Sequence, residues 1–159
     1  MVRLFYISFI LLLCGCLLVL NMRLYHHTGF PHPDPDVITQ LHFLKESLKN
    51  GAAEQMQQNF PEGYVFTNVL YGLAWTETGA AFPADSFLCH RALTEVRLAL
   101  QRINSPAGTA IFAKNTNPTY GIFHAGWSAW LQGNTLALQH KQYTDSAEVI
   151  QFQERCEEI

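Results

Sequence analysis

Residues 89–103 read CHRALTEVRLALQRI, and they carry the clearest secondary-structure signal in the chain. On a helical wheel of about 100° per residue centred on Val96, apolar side chains gather within roughly 60° of that position. They are Cys89, Ala92, Leu93, Ala99, Leu100 and Ile103. The polar side chains fall on the other side, and they are His90, Arg91, Thr94, Glu95, Gln101 and Arg102. The stretch predicts an amphipathic helix buried along its Val96 face, with Arg91 and Glu95 spaced to pair on the exposed face.

Helix signals also precede and follow this stretch. Asp36 after Pro35 predicts the start of a first helix, and Pro61 before Glu62 predicts the start of a second helix that is apolar nearly all round. Asn117-Pro118 predicts the start of a fourth helix. Residues 145–148 resemble a capping box that opens a fifth helix. We therefore expect residues 37–159 to form one small all-α domain of about five helices.

A short motif occurs twice, and it suggests how the helices are arranged. Residues 68–73 and 117–122 both match N-x-x-Y-G-[LI], start 49 positions apart, and are followed by Trp75 and Trp127. Repetition near this period is typical of stacked αα-hairpins. The layout is similar to part of an α/α-toroid or an α-solenoid, a comparison made at the level of the fold only. The alternative is chance similarity in a chain rich in aromatic residues.

The amino-terminal segment has a different character. Residues 4–20 read LFYISFILLLCGCLLVL, and the 19 residues between Arg3 and Arg23 carry no charge. As a helix they reach roughly 28 Å, close to the thickness of a bilayer's hydrocarbon core. We expect residues 1–24 to be a single-pass transmembrane anchor. The positive charge before the apolar run favours a domain outside the cytoplasm.

Two alternatives compete with a retained anchor. A cleavable signal peptide needs a small-x-small site, and no Ala-x-Ala motif follows Leu20. Residues 13–16, Leu-Cys-Gly-Cys, resemble a bacterial lipoprotein signal with Cys16 as the lipid acceptor. The residues after Cys16 are apolar, however, where such a signal usually becomes polar. The uncleaved anchor is the interpretation we adopt.

Residues 25–36 are a linker rich in histidine and proline. Three prolines at alternate positions favour an extended, semi-rigid spacer. The linker also contains residue types that bind metals, namely His26, His27, His32, Asp34 and Asp36. A metal site needs its ligands to converge on one point, and an extended strand spreads them apart. We expect no metal here.

Composition excludes several functional classes. From Pro31 onward the chain has eight Lys or Arg and thirteen Asp or Glu, a net charge of −5. Nucleic-acid binding is therefore not expected, because phosphate recognition needs a positive surface. An aromatic content of 13% argues against disorder. There is no phosphate-binding loop, dinucleotide fingerprint, HExxH or Gly-x-Ser-x-Gly motif, so no cofactor is expected.

Polar groups within the apolar helices are the candidates for chemistry. Glu77 and His124 are the predicted acid or base groups. Aromatic rings can stack on sugars, and the predicted ligand-binding residues are Tyr71, Trp75, Tyr120, Trp127 and Trp130. The simpler alternatives are a solvated acid at a helix end for Glu77 and a buried, hydrogen-bonded histidine for His124.

The domain has two cysteines, Cys89 and Cys156. Outside the cytoplasm they could form one disulfide, and otherwise they are two separate thiols. The sequence as a whole favours a membrane-tethered, extracytoplasmic binding or scaffolding module of the cell envelope. Its expected partner, besides the membrane, is another envelope protein or a glycan. The alternative is a fragment of a toroid-type enzyme that acts on a glycan.

Overall fold

A computed structural model describes residues 2–25, 33–139 and 146–159. Every regular element in these ranges is a helix, which confirms the all-α prediction. The helices are α1 (Val2–Tyr25), α2 (Pro35–Lys49), α3 (Ala52–Asn59), α4 (Gly63–Ala81), α5 (Ser86–Ile103), α6 (Pro106–Thr109), α7 (Gly121–Gln139) and α8 (Ser146–Glu158). Helices α3 and α6 were not predicted, and the others lie where helices were expected or next to them.

The chain divides into two units, Met1–Pro31 and His32–Ile159. The first unit consists of α1, whose apolar side chains at 6–22 are exposed. Among the described residues, no helix is long and apolar enough to cross a membrane. This finding runs against the predicted single-pass anchor and its extracytoplasmic domain, and that prediction is corrected.

Helix α4 is the centre of the second unit. Val69 and Trp75 are fully buried and Val65 is nearly so, in agreement with the prediction of a helix surrounded by protein. The helix begins at Gly63, two residues after the predicted start. Gly63 lies against α3, because a Cβ on it would come within 2.6 Å of the Met56 carbonyl carbon. Glycine is therefore required for this close approach.

Two further glycines bring α4 against α7. A Cβ on Gly72 would lie 2.8 Å from Leu131 Cδ1, and one on Gly79 would lie 3.2 Å from Leu138 Cδ1. The two glycines are seven residues apart on α4, and the two leucines are seven residues apart on α7. Their numbers increase in the same direction, so α4 and α7 run parallel. The leucines of α7 thus fill the space that the α4 glycines leave free.

Helix α5 packs against the same side of α4 in the opposite direction. The hypothetical Cβ of Gly72 lies 3.2 Å from Ala99 Cβ, and that of Gly79 lies 3.0 Å from Ala92 Cβ. The predicted face is confirmed, because Val96, Ala92 and Ile103 are fully buried and Thr94 is exposed. The helix begins at Ser86, and the Asp85 carboxylate caps it by accepting from the Leu88 N–H at 2.9 Å.

One assignment on α5 was wrong. Glu95 was placed on the exposed face beside Arg91, but its side chain is buried. It precedes Val96 by one position and so lies about 100° away, at the edge of the apolar stripe and not opposite it. Lys45 on α2 and Tyr71 on α4 bind its carboxylate there.

Helix α7 begins at Gly121, later than the predicted Asn117-Pro118 start, and continues through Gly133 and Asn134 to Gln139. Tyr120 and Gly121 have positive φ angles of 67° and 78°, so this copy of the repeated motif is a turn entering a helix. The other copy, 68–73, lies in the middle of α4. The two copies have different structures, and the similarity is not a structural repeat.

The remaining predictions concern the ends of the unit. Asp34, and not Asp36, caps α2, because its Oδ1 accepts from the Asp36 N–H at 2.9 Å. The described residues do not include His26, His27, His32 or the predicted cap Asp145.

No disulfide joins Cys89 and Cys156 in the described part of the chain. Cys89 is buried and its thiol donates to the Gly79 carbonyl oxygen at 3.5 Å, whereas Cys156 is exposed.

Candidate functional site

A cavity of about 190 Å³ lies where the end of α5, the start of α7 and the end of α8 meet. Two of the predicted site residues, Tyr120 and His124, line it. Its other polar lining includes Asn104, Ser128, Arg155 and Glu158. The first turns of α7 and the residues before it therefore bring polar side chains to the cavity.

His124 is almost fully buried in the cavity wall. Its Nε2 lies 3.0 Å from the Ile103 carbonyl oxygen. A carbonyl oxygen only accepts, so Nε2 carries a proton, and in the neutral form of the ring Nδ1 is a hydrogen-bond acceptor. The Tyr120 ring packs against the imidazole at a centroid distance of 5.4 Å, and the Phe112 ring packs against it at 5.2 Å. The ring is thus fixed in position with one nitrogen still able to accept.

Ser128 lies one turn further along α7 and is 1% exposed. Its hydroxyl has no hydrogen-bond partner in the described part of the chain. A buried polar group without a partner costs about 1–3 kcal/mol. Ser128 is therefore a polar lining group whose hydrogen-bonding capacity is unused.

The charged lining of the cavity comes from α8. Arg155 is half-buried and Glu158 is exposed, one turn apart on the helix. Neither forms an ion pair with another described residue. The cavity thus has one positive and one negative side chain on its α8 side.

The structure does not bring all the predicted site residues together. Glu77 is exposed on α4 and is not part of the cavity that His124 lines. Tyr71 and Trp75 are 2% and 0% exposed and do not line the cavity. No group of three or more metal-ligating side chains occurs among the described residues.

Tyr71 and Trp75 instead belong to a set of polar and aromatic contacts that joins α2, α4 and α5. We call it the polar seam, and its members are His42, Lys45, Tyr71, Trp75, Arg91 and Glu95. In one layer, the Lys45 ammonium and the Tyr71 hydroxyl both donate to the Glu95 carboxylate, the latter at 2.8 Å. In the next layer, Arg91 donates to a His42 ring nitrogen and lies 5.3 Å from the Trp75 ring centroid.

The polar seam has a structural role. Burial, together with the hydrogen bond to Glu95, raises the pKa of Tyr71 above its ordinary value. Each helix contributes its two seam residues three or four positions apart, which places them on adjacent turns. The sequence analysis missed the seam because such spacing shows that two residues share a face, but not which other helix covers that face.

A second surface combines the remaining predicted aromatic residues with apolar neighbours. We call it the α4–α7 surface, and its members are Phe66, Leu70, Leu73, Phe123, Trp127 and Trp130. On each helix the three residues are spaced four and then three positions apart, so they form one stripe per helix. Phe66 and Trp127 join the stripes, with ring centroids 5.3 Å apart. Trp130 is 54% exposed and Leu70 is 45% exposed.

The helices that form this surface are almost without charge. Helix α7 contains no Asp, Glu, Lys or Arg, and α4 contains only Glu77. Glu62, which precedes α4, is four positions before Phe66, and Glu77 is four positions after Leu73. The apolar stripe of α4 therefore has a carboxylate at each end.

The ring geometry on the α4–α7 surface is not that of a flat platform. Phe66 and Trp127 meet edge to face at 85°, and Trp127 and Trp130 are tilted by 40°. Gly126 lies on the same side of α7, and a Cβ built there would meet nothing within 4 Å. The surface is therefore uneven, with an opening beside Trp127 that a side chain of a partner could enter.

Comparison of the chain with protein-family models, with curated proteins and with solved structures found no match.

Proposed function

We propose that the unit His32–Ile159 is a protein-binding module whose α4–α7 surface holds an amphipathic helix of a partner protein. The partner helix carries Lys or Arg at both ends of its apolar face. The observation that supports this proposal most directly is Trp130, which is 54% exposed on a helix without a charged residue. An exposed Trp on an apolar surface is typical of residues that dominate binding energy in interfaces.

The shape of the surface favours a helix as the occupant. Helices that bind in grooves present apolar side chains at positions i, i+3 or i+4, and i+7. The stripes on α4 and α7 have the same spacing and lie side by side. Gly126 leaves room for one such side chain beside the aromatic rings. The edge-to-face rings create pockets for side chains and not a plane on which a sugar ring would stack.

The charges at the ends of the surface indicate the flanks of the partner. Glu62 and Glu77 lie at opposite ends of the α4 stripe, and no cation occurs on α4 or α7. Complementary charges at the rim of an interface guide association and fix the register of a bound helix. Basic residues on both flanks of the partner's apolar face satisfy this arrangement.

The other hypothesis from the sequence, a fragment of a toroid-type enzyme acting on a glycan, has no specific observation in its favour. Its two proposed catalytic residues are not in one cavity, because Glu77 is exposed on α4 and His124 lines the cavity beside α7. Acid–base catalysis needs both groups within reach of one substrate. The binding module is therefore the function that we propose.

The proposal can be tested with designed peptides of about 18 residues that contain no Trp. The first peptide forms a helix with a Leu face and Lys flanks, the second has Glu in place of Lys, and the third has the first composition in scrambled order. Binding to the full chain is followed by the fluorescence of its tryptophans, because Trp127 and Trp130 lie on the surface. We expect the Lys peptide to bind at least tenfold more tightly than either control peptide.

Two variants locate the binding site. Trp130→Ala should weaken binding of the Lys peptide by at least tenfold, which corresponds to about 1.4 kcal/mol. Phe87→Ala is the matched control, because Phe87 is 76% exposed on α5 outside the α4–α7 surface. Equal binding of the scrambled peptide, or equal losses in the two variants, would contradict the proposal. Concentration-dependent dimerisation that Trp130→Ala abolishes would identify a second copy as the occupant instead.

A further inference from the structure

We propose that the cavity beside the start of α7 binds a small monocarboxylate with a hydroxyl group next to the carboxylate. This site is separate from the α4–α7 surface and does not depend on the function proposed above. Three groups carry the inference: the Arg155 guanidinium, the His124 imidazole and the Ser128 hydroxyl. All three residues line the same cavity.

The carboxylate is bound at the outer side of the cavity. Arg155 is half-buried there and has no ion-pair partner among the described residues, so its donors are available for a carboxylate. The position of this cation therefore sets the end of the cavity at which the ligand carboxylate binds.

The hydroxyl is bound at the inner side by a matched donor and acceptor. The bond from Nε2–H to Ile103 leaves Nδ1 of neutral His124 as an acceptor. Ser128 is 1% exposed, and its hydroxyl has no partner in the described ranges although the residue lines the cavity. A ligand hydroxyl can donate to Nδ1 and accept from the Ser128 hydroxyl. It thereby removes the cost of the unpartnered serine, which an apolar ligand does not.

Size and charge restrict the class of ligand further. A cavity of about 150 Å³ holds a benzene-sized molecule, so about 190 Å³ suits a compact ligand of a few heavy atoms. Glu158 also lines the cavity and disfavours a second carboxylate on the ligand. The structure thus favours hydroxymonocarboxylates over dicarboxylates and over plain fatty acids.

The test measures binding of L-lactate to the full chain by isothermal titration calorimetry. Propionate has the carboxylate but lacks the hydroxyl, and 1,2-propanediol has the hydroxyl but lacks the carboxylate. For so small a ligand we expect a Kd in the millimolar range. Propionate should bind at least fivefold more weakly than lactate, and the diol should not bind. Equal affinity for lactate and propionate, or no lactate binding up to about 50 mM, would overturn the proposal.

Variants distinguish the two halves of the site. Arg155→Gln should abolish binding of both acids, whereas Lys114→Gln removes one exposed positive charge outside the cavity and should have no effect. Ser128→Ala should reduce the affinity for lactate to that for propionate and leave propionate binding unchanged. It should also keep or raise the melting temperature, because it removes an unpartnered buried hydroxyl. Unchanged lactate binding in Ser128→Ala or Arg155→Gln would show that the ligand does not use these groups.

Discussion

At the scale of single residues, two ion pairs of α2 differ in burial. Lys45 binds the buried carboxylate of Glu95 in the polar seam, and its own side chain is 27% exposed. Lys49 pairs with Glu46 on the surface, where both side chains are about half exposed or more. Removing a cation from a buried carboxylate leaves that charge uncompensated, whereas water replaces the cation at the surface.

We therefore expect Lys45→Ala to lower the free energy of unfolding by about 1–3 kcal/mol. Lys49→Ala should be nearly silent. Both variants remove one lysine from the same helix, so differences in helix propensity cancel. Urea unfolding of the two variants, followed by circular dichroism, measures the difference. Equal midpoints would mean that the seam contributes no stability.

Tyr71 in the same seam gives a prediction about pH. Burial and the Glu95 hydrogen bond raise the pKa of Tyr71, so the folded state holds the phenol proton more tightly than the unfolded chain does. The stabilisation is complete below the unfolded value of about 10 and is lost as the pH rises through the folded value. We expect Tyr71→Phe to have a lower melting temperature than the wild type at pH 8. The difference in melting temperature should become smaller above pH 10. Melting temperatures between pH 8 and 11 test this, and a constant gap contradicts it.

At the scale of the helix, α5 offers two positions on opposite sides. Val96 is fully buried and Thr94 is exposed. Val96→Asp places an uncompensated charge in the core and should destabilise the protein by several kcal/mol, on the order of 3 or more. Thr94→Asp adds the same carboxylate to the surface and should change little. Thermal melts of both variants measure the contrast, and similar losses would mean that the helix faces are assigned wrongly.

The glycines allow a comparison of two alanine substitutions with opposite expected signs. Gly63→Ala puts a Cβ 2.6 Å from the α3 backbone, so the two helices must move apart, and we expect a loss of about 1–3 kcal/mol. In Gly126→Ala the new Cβ has no atom within 4 Å, so helix propensity should raise the free energy of unfolding by up to about 1 kcal/mol. Chemical denaturation distinguishes them. A Gly126→Ala variant as unstable as Gly63→Ala would show that α7 is packed at this face.

Gly126→Ala also bears on the proposed function. The added methyl occupies part of the opening beside Trp127 on the α4–α7 surface. It should therefore weaken binding of the Lys-flanked peptide although the protein is at least as stable. Loss of binding and loss of stability are thus separated in one variant.

At the scale of the whole molecule, periodicity predicted the helices well and their contacts poorly. The Val96 face followed from spacing alone, because burial of one stripe is what makes that helix stable. Glu95 and Tyr71 were misjudged because their partners lie on other helices, and one sequence does not show which helix covers which edge. Two residues that line the cavity, His124 and Tyr120, were among the predicted site residues. Ser128 and Arg155 were missed, because their place beside the cavity depends on how α8 packs.

The contrast between the antiparallel α4–α5 pair and the parallel α4–α7 pair has a consequence for the order of folding. Residues 82–85 join α4 to α5, whereas Gly72 and Leu131 are 59 positions apart. Closing a short loop costs less chain entropy than closing a long one, so the hairpin should form in the folding transition state and α7 should dock afterwards. Val96→Ala should then slow folding, while Leu131→Ala should mainly speed unfolding, as stopped-flow kinetics would record. During synthesis, the space beside Gly72 and Gly79 that α7 fills therefore stays open until Leu131 and Leu138 have been translated.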